Sequence, residues 1–219
     1  MSTDNQLRHD VEAELDWDTR IDDRRIGVAV RNGVVSLTGS VSSYFERQAA
    51  EEAAQSVDGV LAVANDIVVA LPSDLIRSDA EIAEDAAAAL QFNATIPSDA
   101  VRLTVRDGAV TLTGDVASWH QKHTAELALS TLRGVRALNN QLVIRPPQGA
   151  WEVQIRITEA LKRSARLDAE RIRVQHAEDG TVTLEGEVSS LHERNLAEVA
   201  AWQAPGVSRV VDRLTIRPQ

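Results

Sequence analysis

Histidine, glutamate and serine are the residues with which this chain could do chemistry. His120 and His123 stand three positions apart, with Glu126 three further on. On a helix that spacing puts them on one face, where two imidazoles and a carboxylate could bind a metal weakly. The same sequence context elsewhere carries Phe45 and Gln48, or His192 and Asn195, with no matching pair. Two surface histidines near a helix start are therefore the plainer reading, and no metal or cofactor is expected. Ser43, Ser118 and Ser190 recur, each followed three positions later by Glu46, Gln121 or Glu193. That spacing is a helix-capping pattern rather than a nucleophile with its base. No glycine-rich phosphate loop opens a helix, and cysteine is absent, which excludes disulfides, thiolate metal sites and a cysteine nucleophile. The expectation is a protein that is not an enzyme.

What remains is contact chemistry. The residue after each capping serine is Tyr44, Trp119 or Leu191. It either packs at the sheet edge or stands at a tip, where Tyr and Trp suit a membrane interface or a protein partner. Trp202 has Gln55 and Ser130 as counterparts, so the position is expected to face solvent, and a tryptophan there suggests an interdomain or intermolecular contact. A basic sector holds Arg156, Lys162, Arg163 and Arg166, with Arg171 and Arg173 beyond. Its plainest role is a solvated face with pairs such as Glu159 and Arg163. It could also meet anionic phospholipid headgroups, at about 1 kcal/mol per near-surface cation. A third role is docking on the acidic Asp10, Glu12, Glu14, Asp16 and Asp18 of the chain's beginning, in the same or a neighbouring molecule.

The elements that must position these groups are repeated. GVVSLTGSVSSYFE begins at Gly33, GAVTLTGDVASWHQ at Gly108 and GTVTLEGEVSSLHE at Gly180, and a Gly-Val pair follows at Gly59, Gly134 and Gly206. Each of these later glycines lies 26 residues after the first. Upstream, Leu7, Val11 and Leu15 match Ile82, Ala86 and Leu90, and Val153, Ile157 and Leu161, each set one stripe of an amphipathic helix. An alternating apolar run follows and ends at Asn32-Gly33, Asp107-Gly108 or Asp179-Gly180, dipeptides that favour the positive φ of a tight hairpin turn. The third copy has one extra residue there, which predicts a longer turn. A second strand, ended at Gly39, Gly114 or Gly186, leads to the helix capped by Ser43, Ser118 or Ser190, whose inner face is alanine-rich. A third strand closes each copy.

The sequence thus predicts an α+β protein of three tandem αββαβ domains, residues 1–72, 73–147 and 148–219. Each is a three-stranded mixed sheet with two helices on one face. Gly-x-Val-x-Leu-x-Gly-x-Val-Ser, then a helix, then Gly-Val-x-x-Val-x-Asn-x-Leu-x-Val, resembles the BON domain family, named after bacterial osmotic-shock and nodulation proteins. Asn65 and Asn140 fit the pattern, and the third copy departs from it with Asp212. The resemblance implies the αββαβ fold and a non-catalytic role: phospholipid or cell-envelope binding, osmotic-stress protection, or chaperone-like activity.

Charge narrows the partners. The net charge of −10 opposes indiscriminate binding to nucleic acid, and it is uneven, at −7, −2 and −1 over the three copies in order. The two partner classes left open are an anionic phospholipid surface and a protein partner. The second includes self-association between the acidic first copy and the basic helix of the third. No run approaches a membrane span, and the polar, acidic start lacks the pattern of a secretory signal. The expected location is cytoplasmic, at most peripheral to the inner membrane, and periplasmic only if a leader has been removed.

Overall fold

The computed structural model describes residues 4–97, 99–145, 171–177, 179–204 and 206–217. The first unit runs α1 (Asp4–Trp17), β1 (Ile26–Arg31), β2 (Val34–Val41), α2 (Tyr44–Ser56) and β3 (Ala62–Val69). The second repeats it with α3 (Asp79–Phe92), β4 (Val101–Arg106), β5 (Ala109–Val116), α4 (Trp119–Ser130) and β6 (Ala137–Ile144). The third is described from its hairpin onward: β7 (Ile172–His176), β8 (Thr181–Val188), α5 (Leu191–Trp202) and β9 (Arg209–Ile216). The helix expected at Val153, Ile157 and Leu161 lies outside the described residues.

Each sheet has its second strand in the centre, antiparallel to the first and parallel to the third. Period-two patterning explains why the helices share a face. In β2, Val35, Leu37 and Val41 are buried while Val34 and Thr38 are exposed, so only one side of the sheet needs an apolar roof. The stripe Leu7, Val11 and Leu15 on α1 and its counterpart Ile82, Ala86 and Leu90 on α3 are buried against it. On the crossover helices Ala50, Ala53, Ala125 and Ala197 are buried. Small side chains there let helix and sheet approach closely, which suits a chain with only 3% aromatic residues.

The hairpin turns take the expected conformation, with φ of 51° at Asn32 and 76° at Gly33, and 51° at Asp107 and 77° at Gly108. Their tips are clamped by a group the pattern did not reveal. The Asp4 carboxylate accepts the N–H groups of Asn32 (2.9 Å) and Gly33 (3.3 Å), and Asp79 accepts those of Asp107 and Gly108, both at 2.9 Å. In the third unit the turn is longer, with Ala177 N–H on the Thr181 carbonyl, and Asp179 accepts the Thr181 N–H at 2.9 Å.

Gly39, Gly114 and Gly186 do not end their strands. They lie inside β2, β5 and β8, paired with Ile26, Val101 and Ile172 on one side and with the third strand on the other. The requirement is steric: a Cβ on Gly39 would stand 1.9 Å from the Arg25 carbonyl oxygen, where the chain enters the sheet.

The units are not three separate cores. Among the described residues, the buried side chains of the first and second form one contiguous cluster, and those of the third another. The first two of the tandem units thus share an interior.

Candidate interaction surfaces

The capping serines start the crossover helices as expected. Ser43 Oγ accepts the Glu46 N–H at 3.1 Å, Ser118 the Gln121 N–H at 3.3 Å and Ser190 the Glu193 N–H at 3.1 Å. The return bond of a capping box does not form there. Glu46 instead accepts from the Ser42 N–H (2.9 Å), the Ser42 hydroxyl (2.8 Å) and the Asp22 N–H (2.8 Å), so it ties the helix to the loop before β1. Gln121 accepts the Ala117 N–H at 2.7 Å, and Glu193 the Ser189 N–H at 2.6 Å. The reciprocal box belongs to α3, between Ser78 and Glu81.

The aromatic candidates lie inside or between units. Tyr44 is 8% exposed and belongs to the shared core, so it offers no surface to a membrane or partner. Burial raises its phenol pKa, and the Glu126 carboxylate of the second unit adds to the rise. Trp119 is half-buried against that core and stacks on His123, with ring centroids 4.6 Å apart and planes 9° apart. Both histidines are exposed, and His123 alone of the two stacks on the indole. Leu191 also packs against the cluster of the first two units.

Trp202 is half-buried and touches both clusters. Its position does not face solvent in the common fold, because the counterpart Ser130 is 2% exposed. Ser130 is satisfied there by donating its hydroxyl to the Leu127 carbonyl. Near Trp202, Asn195 Nδ2 donates to Gln55 Oε1 of α2 at 2.9 Å, a direct bond between the third unit and the first.

Arg156, Lys162, Arg163 and Arg166 lie outside the described residues. Of the wider basic sector, Arg173 lies on β7 opposite Glu185, which accepts from Arg213 on β9 at 3.0 Å. The outer sheet face of the third unit is thus laced with opposite charges. At the equivalent row the first unit has Gly27, Thr38 and Asp66 in register. On the acidic first helix, His9 and Arg8 meet Glu12, and the Arg20 guanidinium holds the Asp18 carboxyl below its ordinary range while reaching Glu52.

The largest exposed side chains were missed by pattern reading. Trp17 is 82% and Phe92 90% exposed. Each ends the first helix of its unit, two residues past the stripe members Leu15 and Leu90, and therefore off the buried face. The register gives Arg163 as the third member of the set. The signal was available: two aromatics at one repeat position in a chain with seven.

Among the described residues no group of three His, Asp or Glu is placed to hold a metal ion, and no helix is long and apolar enough to cross a membrane. A family model described as BON domain matches residues 3–70, 78–146 and 152–218. Osmotically-inducible protein Y of Escherichia coli (strain K12) is 28% identical over 143 residues, covering 64% of this chain and 71% of that protein. Two solved structures of CdsD, described as a structural protein of the type III secretion system of Chlamydia trachomatis, are more distant. One is 15% identical with a TM-score of 0.27 over 96% of this chain and 92% of its own. The other, the C-terminal domain, is 14% identical with a TM-score of 0.26 over the whole of both chains. At those scores nothing is carried over from CdsD.

Proposed function

This chain belongs to the BON domain family, and from that premise we propose that it is a non-catalytic protein that binds phospholipid membrane surfaces under osmotic stress. The osmotic part is supported by the name of the Escherichia coli relative. The membrane part rests on one observation above others, the paired exposure of Trp17 and Phe92. Aromatic rings gain by sitting at the headgroup level of a bilayer, where one side is apolar and the other wet. Each ring is flanked by polar residues, Asp16 and Asp18 for Trp17, Gln91 and Asn93 for Phe92. An isolated ring with a polar surround makes a poor protein-docking patch, which needs contiguous apolar area, but a sufficient interfacial anchor.

Arg156, Lys162, Arg163 and Arg166 are proposed as the cationic complement, for anionic headgroups. In this reading two units contribute an aromatic and the third an arginine at one register position. The division of labour predicts two separable components. Co-sedimentation with zwitterionic vesicles is expected to depend on the rings, with Trp17→Ala and Phe92→Ala each lowering partitioning about tenfold. Added anionic lipid is expected to give a further, salt-sensitive gain that charge reversal at Arg163 and Arg166 removes. Absence of binding to both vesicle types at low salt would end the membrane reading. It would leave a protein-binding or chaperone-like role, which suppression of client aggregation measures directly.

A further inference from the structure

The outer sheet faces, turned away from the helices, differ among the three units in how they carry charge. In the second unit Asp115 of β5 pairs with Arg145, just past β6, at 2.9 Å. The third unit repeats that pair with Glu187 and Arg217 at 3.0 Å, and adds Glu185 with Arg213 at 3.0 Å. Backbone register identifies the counterparts in the first unit. The Ala70 N–H donates to the Val41 carbonyl as the Arg145 N–H does to Val116 and the Arg217 N–H to Val188. Ser40 and Ala70 therefore stand where the other two units have an acid and an arginine.

The first unit is otherwise the most charged by balance, with 6 basic and 13 acidic groups over residues 1–72. Yet in β1, β2 and β3 only Arg31 and Asp66 are charged. Neither side chain has an ion pair or hydrogen bond among the described residues. Both are exposed on the outer face, and the register puts them at opposite corners of it. Arg31, Val34 and Ala62 form one row across the sheet. Ala29, Ser36 and Ala64 form the next, and Gly27, Thr38 and Asp66 the third. Between the two charges every side chain is small and uncharged. Val34 and Val68 leave apolar surface open there, at 40% and 63% exposure.

We propose that this face is a homodimer interface, occupied by the same face of a second copy of the chain. A two-fold axis makes a contact isologous, so that a patch meets itself and must be self-complementary. An axis between the faces, through Ser36 and perpendicular to the Arg31–Asp66 diagonal, sets each Arg31 against the partner's Asp66. It crosses the strands of the two sheets steeply, toward the orthogonal class of sheet packing. The small side chains let the sheets approach at least as closely as the usual ~10 Å. The second unit's face lacks this complementarity: Arg102 and Arg106 hold the Gly27 and Arg31 places, and Gln141 that of Asp66. In the third unit the acids are already paired within the sheet. Three strands of at most eight residues give a face of about 14 by 27 Å. That is small for a permanent dimer, so the association is reversible and concentration-dependent. The inference is independent of membrane binding, since Trp17 ends a helix on the opposite side of this sheet.

The test is sedimentation velocity of the full chain from low micromolar to submillimolar concentration, where a monomer–dimer equilibrium is expected. Arg31→Asp and Asp66→Arg are each expected to weaken dimerisation at least about tenfold, because like charges then meet at both symmetry-related contacts. The double variant that exchanges the two charges is expected to restore it. Ser36→Arg, at the centre of the face, is expected to abolish the dimer while the far-UV circular dichroism stays unchanged. A chain that is monomeric at every concentration overturns the proposal, as does a dimer that survives Ser36→Arg. An exchange variant as weak as the single variants overturns it equally, and decides the matter alone if Ser36→Arg does not fold.

Discussion

At the scale of single residues, the chain's only tyrosine is a probe of how its units meet. Tyr44 is buried, and its phenol is pushed above the ordinary value first by that burial and then by Glu126 of the neighbouring unit. Absorbance near 295 nm is expected to show tyrosinate forming above the usual pKa of about 10. Glu126→Gln is expected to bring the midpoint down without exposing the ring. An unchanged midpoint in that variant would show that the carboxylate does not face the phenol. The linkage sign follows: a raised folded pKa means stability that is fully present below the ordinary phenol range and is lost as pH rises through the folded value. The sequence left Tyr44 either packed at the sheet edge or exposed at a tip. What it lacked was how the second unit packs on the first, information that no local pattern carries.

At the scale of elements, the hairpin and the helix starts show which local rules are self-sufficient. The Asn-Gly and Asp-Gly turns adopt positive φ because only the turn's own backbone decides it. The glycines inside β2, β5 and β8 obey a different constraint, set by a chain segment passing over them. Gly39→Ala would combine a φ of 118° with a Cβ 1.9 Å from the Arg25 carbonyl, and is expected to cost at least about 3 kcal/mol in denaturant unfolding. Gly27→Ala is the control in the same hairpin. Its Cβ meets the Thr38 hydroxyl at 3.0 Å, a contact that a small side-chain shift relieves, so a cost under about 1 kcal/mol is expected. Equal losses in the two variants would refute the close-approach argument. Glu46 makes the related point for caps. Its bonds to Asp22 and Ser42 tie an inter-element junction together, whereas the spacing alone pointed to a bond with Ser43.

At the scale of the whole molecule, the shared core of the first two units predicts coupled stability. Leu37→Ala in β2 removes a buried side chain from that cluster, a change that costs about 2–5 kcal/mol. Native-state hydrogen exchange is expected to show protection lost in β5 and β6 as well as in β2, with β8 and β9 less affected. Loss confined to the first unit would mean that the two units touch without sharing a cooperative core.

The repeat, the order of elements and the sheet face that turns inward were all legible in the sequence. Each follows from period, turn residues and composition, which act over a few positions and need no partner. The Asp4 and Asp79 clamps, the burial of Tyr44 and the junction at Trp202 were decided by tertiary structure alone. They depend on which surfaces meet across tens of residues, and one repeat position becomes core or junction according to what packs over it.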